Sequence, residues 1–203
     1  MIVIGVCGGS GSGKTTFVNK LREALEVPHL PVLPQDAYYR DSSHLPLEVR
    51  KKQNYDHPDS IEWELMSAHL GELLSGQTVP VPTYSMLTCT RTEEITHMHP
   101  TDILVVEGIL IYTHAALREQ IHLRVFLDVD EAHRYERLER RDMKQRGRTA
   151  EEVRERYLAT VAPMYDEHIW PSRLHANLIV PKGGKNERAA GLIAGMVKGM
   201  RGV

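Results

Sequence analysis

The stretch Ile2–Thr15, IVIGVCGGSGSGKT, decides the fold of this 203-residue chain. Its first half is an apolar run that predicts a buried strand, and the segment FVNKLREAL that follows has apolar residues at helical spacing. The motif G-x-x-x-x-G-K-[ST] lies between them, and a strand before it and a helix after it are typical of a phosphate-binding loop. This order of elements predicts a nucleoside triphosphate site directly after the first strand.

Each residue type in this loop has a predicted task. Gly8, Gly11 and Gly13 tolerate positive φ, so successive backbone N–H groups can turn toward phosphate oxygens. The helix that begins near Lys14 adds free N–H donors and the positive end of its dipole. Lys14 is expected to reach the β- and γ-phosphates, and the Thr15 hydroxyl is expected to bind Mg²⁺. The predicted nucleotide contacts are Gly8, Gly9, Ser10, Gly11, Ser12, Gly13, Lys14, Thr15 and Thr16.

The composition argues against several classes of protein. The 25 Lys and Arg nearly balance the 27 Asp and Glu, so the net charge of −2 gives no reason to expect a nucleic-acid or membrane partner. Cys7 and Cys89 lie far apart and form no CxxC pair, which favours a reducing compartment. Neither a signal peptide nor an apolar run of roughly 18 residues is visible. We expect a soluble, cytoplasmic protein with one domain over residues 1–203.

Alternating strands and helices predict an α/β fold. A second strand is predicted at His29–Asp36, which places Asp36 at the carboxyl end of a strand, where open parallel sheets bind ligands. The strand TDILVVEG ends in Glu107, and this carboxylate is expected to hold Mg²⁺ directly or through water. Two more strands are predicted at His122–Val129 and Ala176–Pro181. Together they predict a five-stranded parallel sheet with helices on both faces.

Two further features are predicted to stand off this sheet. Alternating β-branched and polar residues between about 78 and 100 predict a projecting β-hairpin. Residues 130–168 predict a helical lid, in which the capping box of Thr149 and Glu152 places a break at Arg146-Gly147-Arg148. A helix cap is predicted at Asp59 or Ser60. Solvated positions are predicted for Arg134, Arg154 and Arg156.

These parts fit the requirements of phosphoryl transfer. The reaction needs a phosphate cradle, a metal, a carboxylate that acts on the acceptor hydroxyl, and cations on the transferring group. Asp36 is the candidate for the carboxylate. A GTPase-type switch is disfavoured, because the only Asn-Lys pair, Asn19-Lys20, lies inside the first helix and lacks the Asp of N-K-x-D. A His-based metal site is disfavoured too, since His97 and His99 have no third ligand nearby.

The segments LPQDAYYR, NYDHPDS, VPTYSMLTCTR, RRDMKQRGRT and APMYDEHIWPS occur in the order found in uridine kinases, and the chain resembles that family over nearly its whole length. The resemblance implies a P-loop NTPase-type core, transfer of the γ-phosphate of ATP or GTP to the 5′-hydroxyl of a pyrimidine ribonucleoside, dependence on Mg²⁺, and a homotetramer. It also implies roles for individual residues. Asp36 resembles the catalytic base close to the metal, Asp56 the ribose contact, Tyr84 the hairpin tyrosine near the base, and Arg141, Arg146 and Arg148 the lid arginines. Tyr39 and Arg148 are further expected substrate contacts.

The sequence departs from the family pattern where the nucleoside is recognised. Met86 and Cys89 occupy hairpin positions at which the family usually has an aromatic residue and a histidine. Leu138 replaces an arginine, for which Arg137 is expected to substitute, and Arg156 replaces a glutamine. Met packs against a ring but specifies little. The alternatives to a uridine kinase are therefore a kinase of a different nucleoside, a kinase of another small hydroxyl-bearing acceptor, or a non-catalytic nucleotide-binding regulator.

Overall fold

Seven strands occur within residues 1–200, the part of the chain that the structure, a computed structural model, describes. They are β1 Ile2–Cys7, β2 Val32–Pro34, β3 Val79–Ser85, β4 Thr90–Met98, β5 Ile103–Gly108, β6 Leu123–Asp128 and β7 Leu178–Pro181. Five form one parallel sheet in the order β2-β5-β1-β6-β7, while β3 and β4 form an antiparallel hairpin. The predicted fold class is confirmed. The last residues of the predicted domain, 201–203, lie outside the described part.

Helices cover both faces of the parallel sheet. The α-helices among residues 1–200 are α1 Lys14–Leu25, α2 Leu47–Arg50, α3 Trp63–Leu74, α4 Ala115–Glu119, α5 Glu131–Arg146, α6 Ala150–Arg156, α7 Ala162–Met164, α8 Trp170–Ser172 and α9 Glu187–Met200. Successive strand residues point to opposite faces, so Val3 packs in the cluster with α3 and Ile4 in the cluster with α1 and α9. This double burial explains why the core strands are apolar without alternation. No helix among residues 1–200 has the length and apolarity needed to cross a membrane.

The second strand is shorter than the predicted His29–Asp36. Only Val32–Pro34 pairs with β5, and Asp36 lies in the 3₁₀ turn Gln35–Tyr38 that follows. Pro31 and Pro34 explain the difference, because neither has an N–H to give to a strand ladder. Asp36 nevertheless remains beside the carboxyl end of the sheet.

The predicted cap of α3 was wrong. Asp59 and Ser60 belong to a separate 3₁₀ turn, Pro58–Ser60, in which the His57 ring accepts a hydrogen bond from the Asp59 N–H at 3.1 Å. The helix begins at Trp63 with Glu62 as its cap residue.

The break between α5 and α6 is where the sequence predicts it. Gly147 ends α5 in the left-handed conformation at φ 65°, and both hydrogen bonds of the Thr149–Glu152 capping box are formed. Beyond Arg156 the helical run continues through π-helical turns at Tyr157–Val161 and Tyr165–Ile169. Pro163 lies between these turns, and its missing N–H and ring disturb regular α-helical bonding.

Candidate active site

The phosphate loop wraps from the end of β1 to the start of α1. Gly8, Gly11 and Gly13 have φ of 145°, 82° and 87°, which confirms the predicted positive values. Space also demands glycine here, since a Cβ on Gly11 would collide with the backbone carbonyl of Arg134. Glycine thus permits both the turn and its close packing against α5.

Lys14 and Thr15 lie where α1 leaves this loop. The Lys14 ammonium donates to the carbonyls of Gly8 and Gly9 at 3.0 and 3.4 Å, so its charge is held within the loop. Burial lowers the pKa of Lys14, and the negative charge of Glu107 is the largest opposing influence. The Thr15 hydroxyl donates to Oε1 of Glu107 at 3.0 Å, which joins α1 to the end of β5.

The three predicted metal ligands supply only oxygen atoms. Burial raises the pKa of Glu107, Lys14 lowers it, and the charge of Asp36 raises it further, so both carboxylates act on the same region. Mg²⁺ prefers oxygen ligands and is usually held by one or two carboxylates together with substrate phosphates. Residues 1–200 contain no group of three or more His, Cys, Asp or Glu that could hold a metal by itself. Thr15, Glu107 and Asp36 therefore fit a Mg²⁺ that arrives with a nucleotide.

One cavity of about 640 Å³ brings most of the predicted site residues together. Its lining includes the predicted residues Ser10, Gly11, Gly13, Lys14, Thr15, Thr16, Asp36, Tyr39, Asp56, Tyr84, Met86, Cys89, Glu107, Arg137, Arg141, Arg146 and Arg148. Gly8, Gly9 and Ser12 are not part of this lining. Gly8 and Gly9 instead hold Lys14 through their carbonyls, and Ser12 is fully buried in the loop.

Three tyrosines form one end of the cavity. The ring of Tyr39 lies 5.1 Å from that of Tyr55 and 4.9 Å from that of Tyr84, measured between centroids. Burial raises the pKa of all three phenols, which keeps them neutral near pH 7. Tyr55 was missed by sequence reasoning, although it directly precedes Asp56 in the segment NYDHPDS. Its hydroxyl donates to the carbonyl of Cys89 at 3.3 Å and so braces the hairpin turn.

The hairpin turn places Met86 and Cys89 against this end. Cys89 is buried and has a φ of 51°, which is unusual for a residue with a Cβ. Its thiol points back to the carbonyl of Met86 at 3.7 Å. The wall of the cavity here consists of a thioether and a thiol, neither of which is a strong hydrogen-bonding group.

Asp56 lies on the floor next to the tyrosines and is 3% exposed. Its Oδ2 accepts a hydrogen bond from Nη2 of Arg156 at 3.1 Å. Burial raises the pKa of Asp56, whereas the Arg156 charge lowers it. The prediction that Arg156 is a solvated surface residue was wrong, because its guanidinium is ion-paired inside the site.

The arginines predicted for the lid converge on Asp142, a residue that sequence reasoning missed. This carboxylate is fully buried and pairs with Arg141 at 2.9 Å, Arg148 at 3.1 Å, Arg156 at 3.3 Å and Arg146 at 3.5 Å. A signal was available, since Asp142 is the one acid among five basic residues between Arg140 and Arg148. All five of those basic residues line the cavity.

Arg134 and Arg137 support the loop from α5. The solvated position predicted for Arg134 was wrong, because the residue is 3% exposed and its guanidinium lies 3.5 Å from the centroid of the Tyr165 ring. Arg137 donates to the Gly11 carbonyl at 3.4 Å, which places it on the nucleotide side of the cavity. Leu138 packs in the apolar cluster of Val153 and Tyr157 and faces away from the site.

The strand order, the loop after β1 and the carboxylate at the end of β5 define a P-loop kinase fold. A solved D-glycerate 3-kinase from Cryptococcus neoformans shares this fold with a TM-score of 0.60 and 17% identity, over 84% of this chain and 80% of that one. A structure described as a possible uridine kinase from Bacillus stearothermophilus matches with a TM-score of 0.55 and 17% identity, over 88% of each chain.

Sequence comparison narrows the class to a family. Residues 3–189 match the Phosphoribulokinase / Uridine kinase family. A uridine kinase of Aliivibrio fischeri is 44% identical over 93% of this chain and 89% of its own length, and a uridine kinase of Lactobacillus helveticus is 40% identical over 95% and 92%. The chain belongs to the Phosphoribulokinase / Uridine kinase family. It is therefore a phosphotransferase that takes a hydroxyl-bearing small molecule as acceptor and a nucleotide as phosphate donor.

Proposed function

We propose that this protein is a pyrimidine nucleoside kinase, which transfers the γ-phosphate of ATP or GTP to the 5′-hydroxyl of uridine or cytidine, as in pyrimidine salvage. The observation that carries the proposal is the single cavity with the phosphate loop at one end and Asp56 with the tyrosines at the other. Asp36 lines the same cavity between the two ends. The 40–44% identity to uridine kinases supports the choice of acceptor.

In the proposed reaction the acceptor 5′-oxygen forms a bond to the γ-phosphorus while the bond from that phosphorus to the bridging oxygen breaks. Asp36 accepts the hydroxyl proton as this oxygen attacks. Lys14 and the lid arginines Arg141, Arg146 and Arg148 offset the negative charge that spreads over the transferring group. Bound through Thr15, Glu107 and Asp36, Mg²⁺ would neutralise the β- and γ-phosphates.

The acceptor end supports a ribonucleoside. A carboxylate can accept hydrogen bonds from both hydroxyls of a vicinal diol, and Asp56 offers such a carboxylate. The neutral phenols of Tyr39, Tyr55 and Tyr84 supply an apolar wall with polar tips, which suits a planar base. Arg137 lies at the phosphate end of the cavity, where it donates to the Gly11 carbonyl and adds a positive charge.

A second candidate function is phosphorylation of a different hydroxyl-bearing acceptor. Met86 and Cys89 favour this candidate, because neither offers a strong donor or acceptor to a pyrimidine edge. A coupled assay over uridine, cytidine, other ribonucleosides and sugar derivatives separates the candidates. Turnover with uridine or cytidine supports the proposal, whereas turnover only with another compound supports the second candidate. Slow loss of ATP with no phosphorylated product would indicate a nucleotide-binding regulator instead.

Asp36→Asn tests the assigned base. We expect ATP binding to stay nearly intact and kcat to fall by a factor on the order of 10² or more, because a positioned general base contributes about that much. Asp59→Asn is a matched control, since the Asp59 side chain is 92% exposed. An unchanged kcat in Asp36→Asn would remove this carboxylate from the reaction.

We further propose a cytoplasmic homo-oligomer, a tetramer by family resemblance, without nucleic-acid or membrane partners. The two free cysteines support a reducing compartment. The near balance of 25 basic and 27 acidic residues gives polyanionic partners no general attraction. Light scattering measures the oligomeric state, and mixing with RNA or anionic vesicles tests the excluded partners.

A further inference from the structure

Arg156 joins two parts of the site that are far apart in sequence. Its Nη2 donates to Asp56 at 3.1 Å and its Nη1 donates to Asp142 at 3.3 Å, over sequence separations of 100 and 14 residues. Both carboxylates are buried, whereas the Arg156 side chain is 19% exposed and lines the cavity. One guanidinium therefore connects the acceptor end with the cluster that holds the lid arginines.

The charged form of the buried Asp56 carboxylate depends on this connection. Among residues 1–200, Arg156 provides the only ion pair to the Asp56 carboxylate. The other groups that act on Asp56 are Asp36, which opposes its charge, and Arg141 and Arg146, which favour it. A buried carboxylate is stable as an anion only when it is paired and hydrogen-bonded. Arg156 thus supplies the direct partner that favours the charged form of Asp56.

The planar guanidinium also restricts where the carboxylate points. Its two terminal nitrogens donate to two different residues, and a lysine could not reproduce this fork with one nitrogen. Arg156 lies in α6, whereas Asp56 and Asp142 do not, so any shift of α6 would move the guanidinium relative to both carboxylates. Asp142 also pairs with Arg141, Arg146 and Arg148, which links such a shift to these arginines.

We propose that Arg156 is a positioning residue that holds the Asp56 carboxylate in place for the hydroxyls of the acceptor and couples it, through Asp142, to the lid arginines. This inference rests on the proposed function, in which Asp56 binds the acceptor. It assigns to this chain a recognition element built on an arginine, where the resembling family usually has a neutral glutamine.

The test compares Arg156→Gln and Arg156→Lys with Arg154→Gln, a matched control on the exposed side of α6. Steady-state kinetics are measured with ATP and with uridine. For Arg156→Gln we expect the KM for uridine to rise on the order of 10- to 100-fold, the range for loss of a hydrogen bond to a charged group. The KM for ATP should change less than about twofold, since Arg156 contacts neither Lys14 nor the loop. Arg156→Lys should recover part of the loss, and Arg154→Gln should match the native protein.

A pH profile separates this role from a purely structural one. Removing the Arg156 charge raises the pKa of Asp56, so the acid limb of kcat/KM for uridine should move to higher pH in Arg156→Gln. If Arg156→Gln does not fold, Arg156→Lys still tests the guanidinium fork through the KM for uridine, which should exceed the native value although the positive charge, and with it the pH profile, is kept. Equal KM values for uridine in Arg156→Gln and Arg154→Gln, an unmoved profile in folded Arg156→Gln, or a native KM for uridine in Arg156→Lys would overturn the inference.

Asp56→Asn distinguishes this failure from failure of the proposed function. A raised KM for uridine in Asp56→Asn with no change in Arg156→Gln rejects only the role of Arg156. Unchanged kinetics in Asp56→Asn, or no uridine turnover by the native protein, rejects the assigned acceptor site itself.

Discussion

Asp142 shows how one residue can organise several others. Four guanidinium groups near each other repel, and a buried anion at their centre offsets this repulsion. The pKa of Arg146 is lowered, first by burial and then by the neighbouring Arg141, while Asp142 opposes both influences. The carboxylate therefore makes a compact cationic cluster possible beside the phosphate loop.

Replacing Asp142 with Asn tests this role, because the side chain keeps its shape and loses its charge. We expect the free energy of unfolding to fall by about 3–5 kcal/mol, as when one partner of a buried ion pair is removed. We also expect kcat to fall at least about tenfold, since misplaced arginines could no longer play their proposed part in stabilising the transferring phosphoryl group. Urea denaturation and steady-state kinetics give the two values. Glu136→Gln is the control, an exposed carboxylate on the same helix; equal behaviour of the two variants would contradict the role.

At the scale of elements, the arrangement of the predicted lid depends on how α5 ends and α6 begins. The Thr149 N–H donates to Glu152 at 2.7 Å and the Glu152 N–H donates back to Thr149 at 3.2 Å. These bonds start α6 at Ala150, two residues after Arg148, so they fix where Arg148 leaves the turn. Local capping thus contributes to the position of a residue in the arginine cluster.

Thr149→Ala should lower the free energy of unfolding by about 1 kcal/mol, the usual cost of losing a helix cap. Thr149→Ser should stay close to the native value, because serine keeps the hydroxyl that caps the helix. Denaturant unfolding of the two variants measures the difference. A loss of equal size in both would show that the threonine methyl, not the hydroxyl, stabilises this junction.

The elements and the phosphate loop were predictable, whereas the burial of charged residues was not. A strand such as Ile2–Cys7 and a loop such as Gly8–Thr15 carry local signals, namely apolar runs and glycines at set spacing. Arg134 and Arg156 look like ordinary residues of a charged helix face. Their burial depends on tertiary partners, one of which is 100 residues away from Arg156. Local pattern cannot report such pairs. Asp142 is different, because three of its arginine partners lie within six residues of it, and the lone acid in a basic run was a local signal.

At the scale of the whole molecule, positive and negative charges nearly cancel, but positive charge is concentrated in the main cavity. Eight of the 25 basic residues line the main cavity, namely Lys14, Arg137, Arg140, Arg141, Lys144, Arg146, Arg148 and Arg156. Three carboxylates, those of Asp36, Asp56 and Glu107, line it with them. This local excess of positive charge suits an anionic nucleotide, although the overall charge is −2.

The exposed face of α9 is the candidate contact between subunits of the proposed homo-oligomer. Leu192, Met196 and Met200 are exposed to 73%, 47% and 52%, and their spacing of four residues places them in one row. A contiguous apolar row on a surface helix is typical of an interface. We expect Leu192→Glu combined with Met196→Glu to lower the mass measured by light scattering, because charges buried between subunits disfavour association. Leu158→Glu, at an apolar position on a different helical segment that is 61% exposed, is the control. An unchanged mass in the double variant would place the contact between subunits elsewhere.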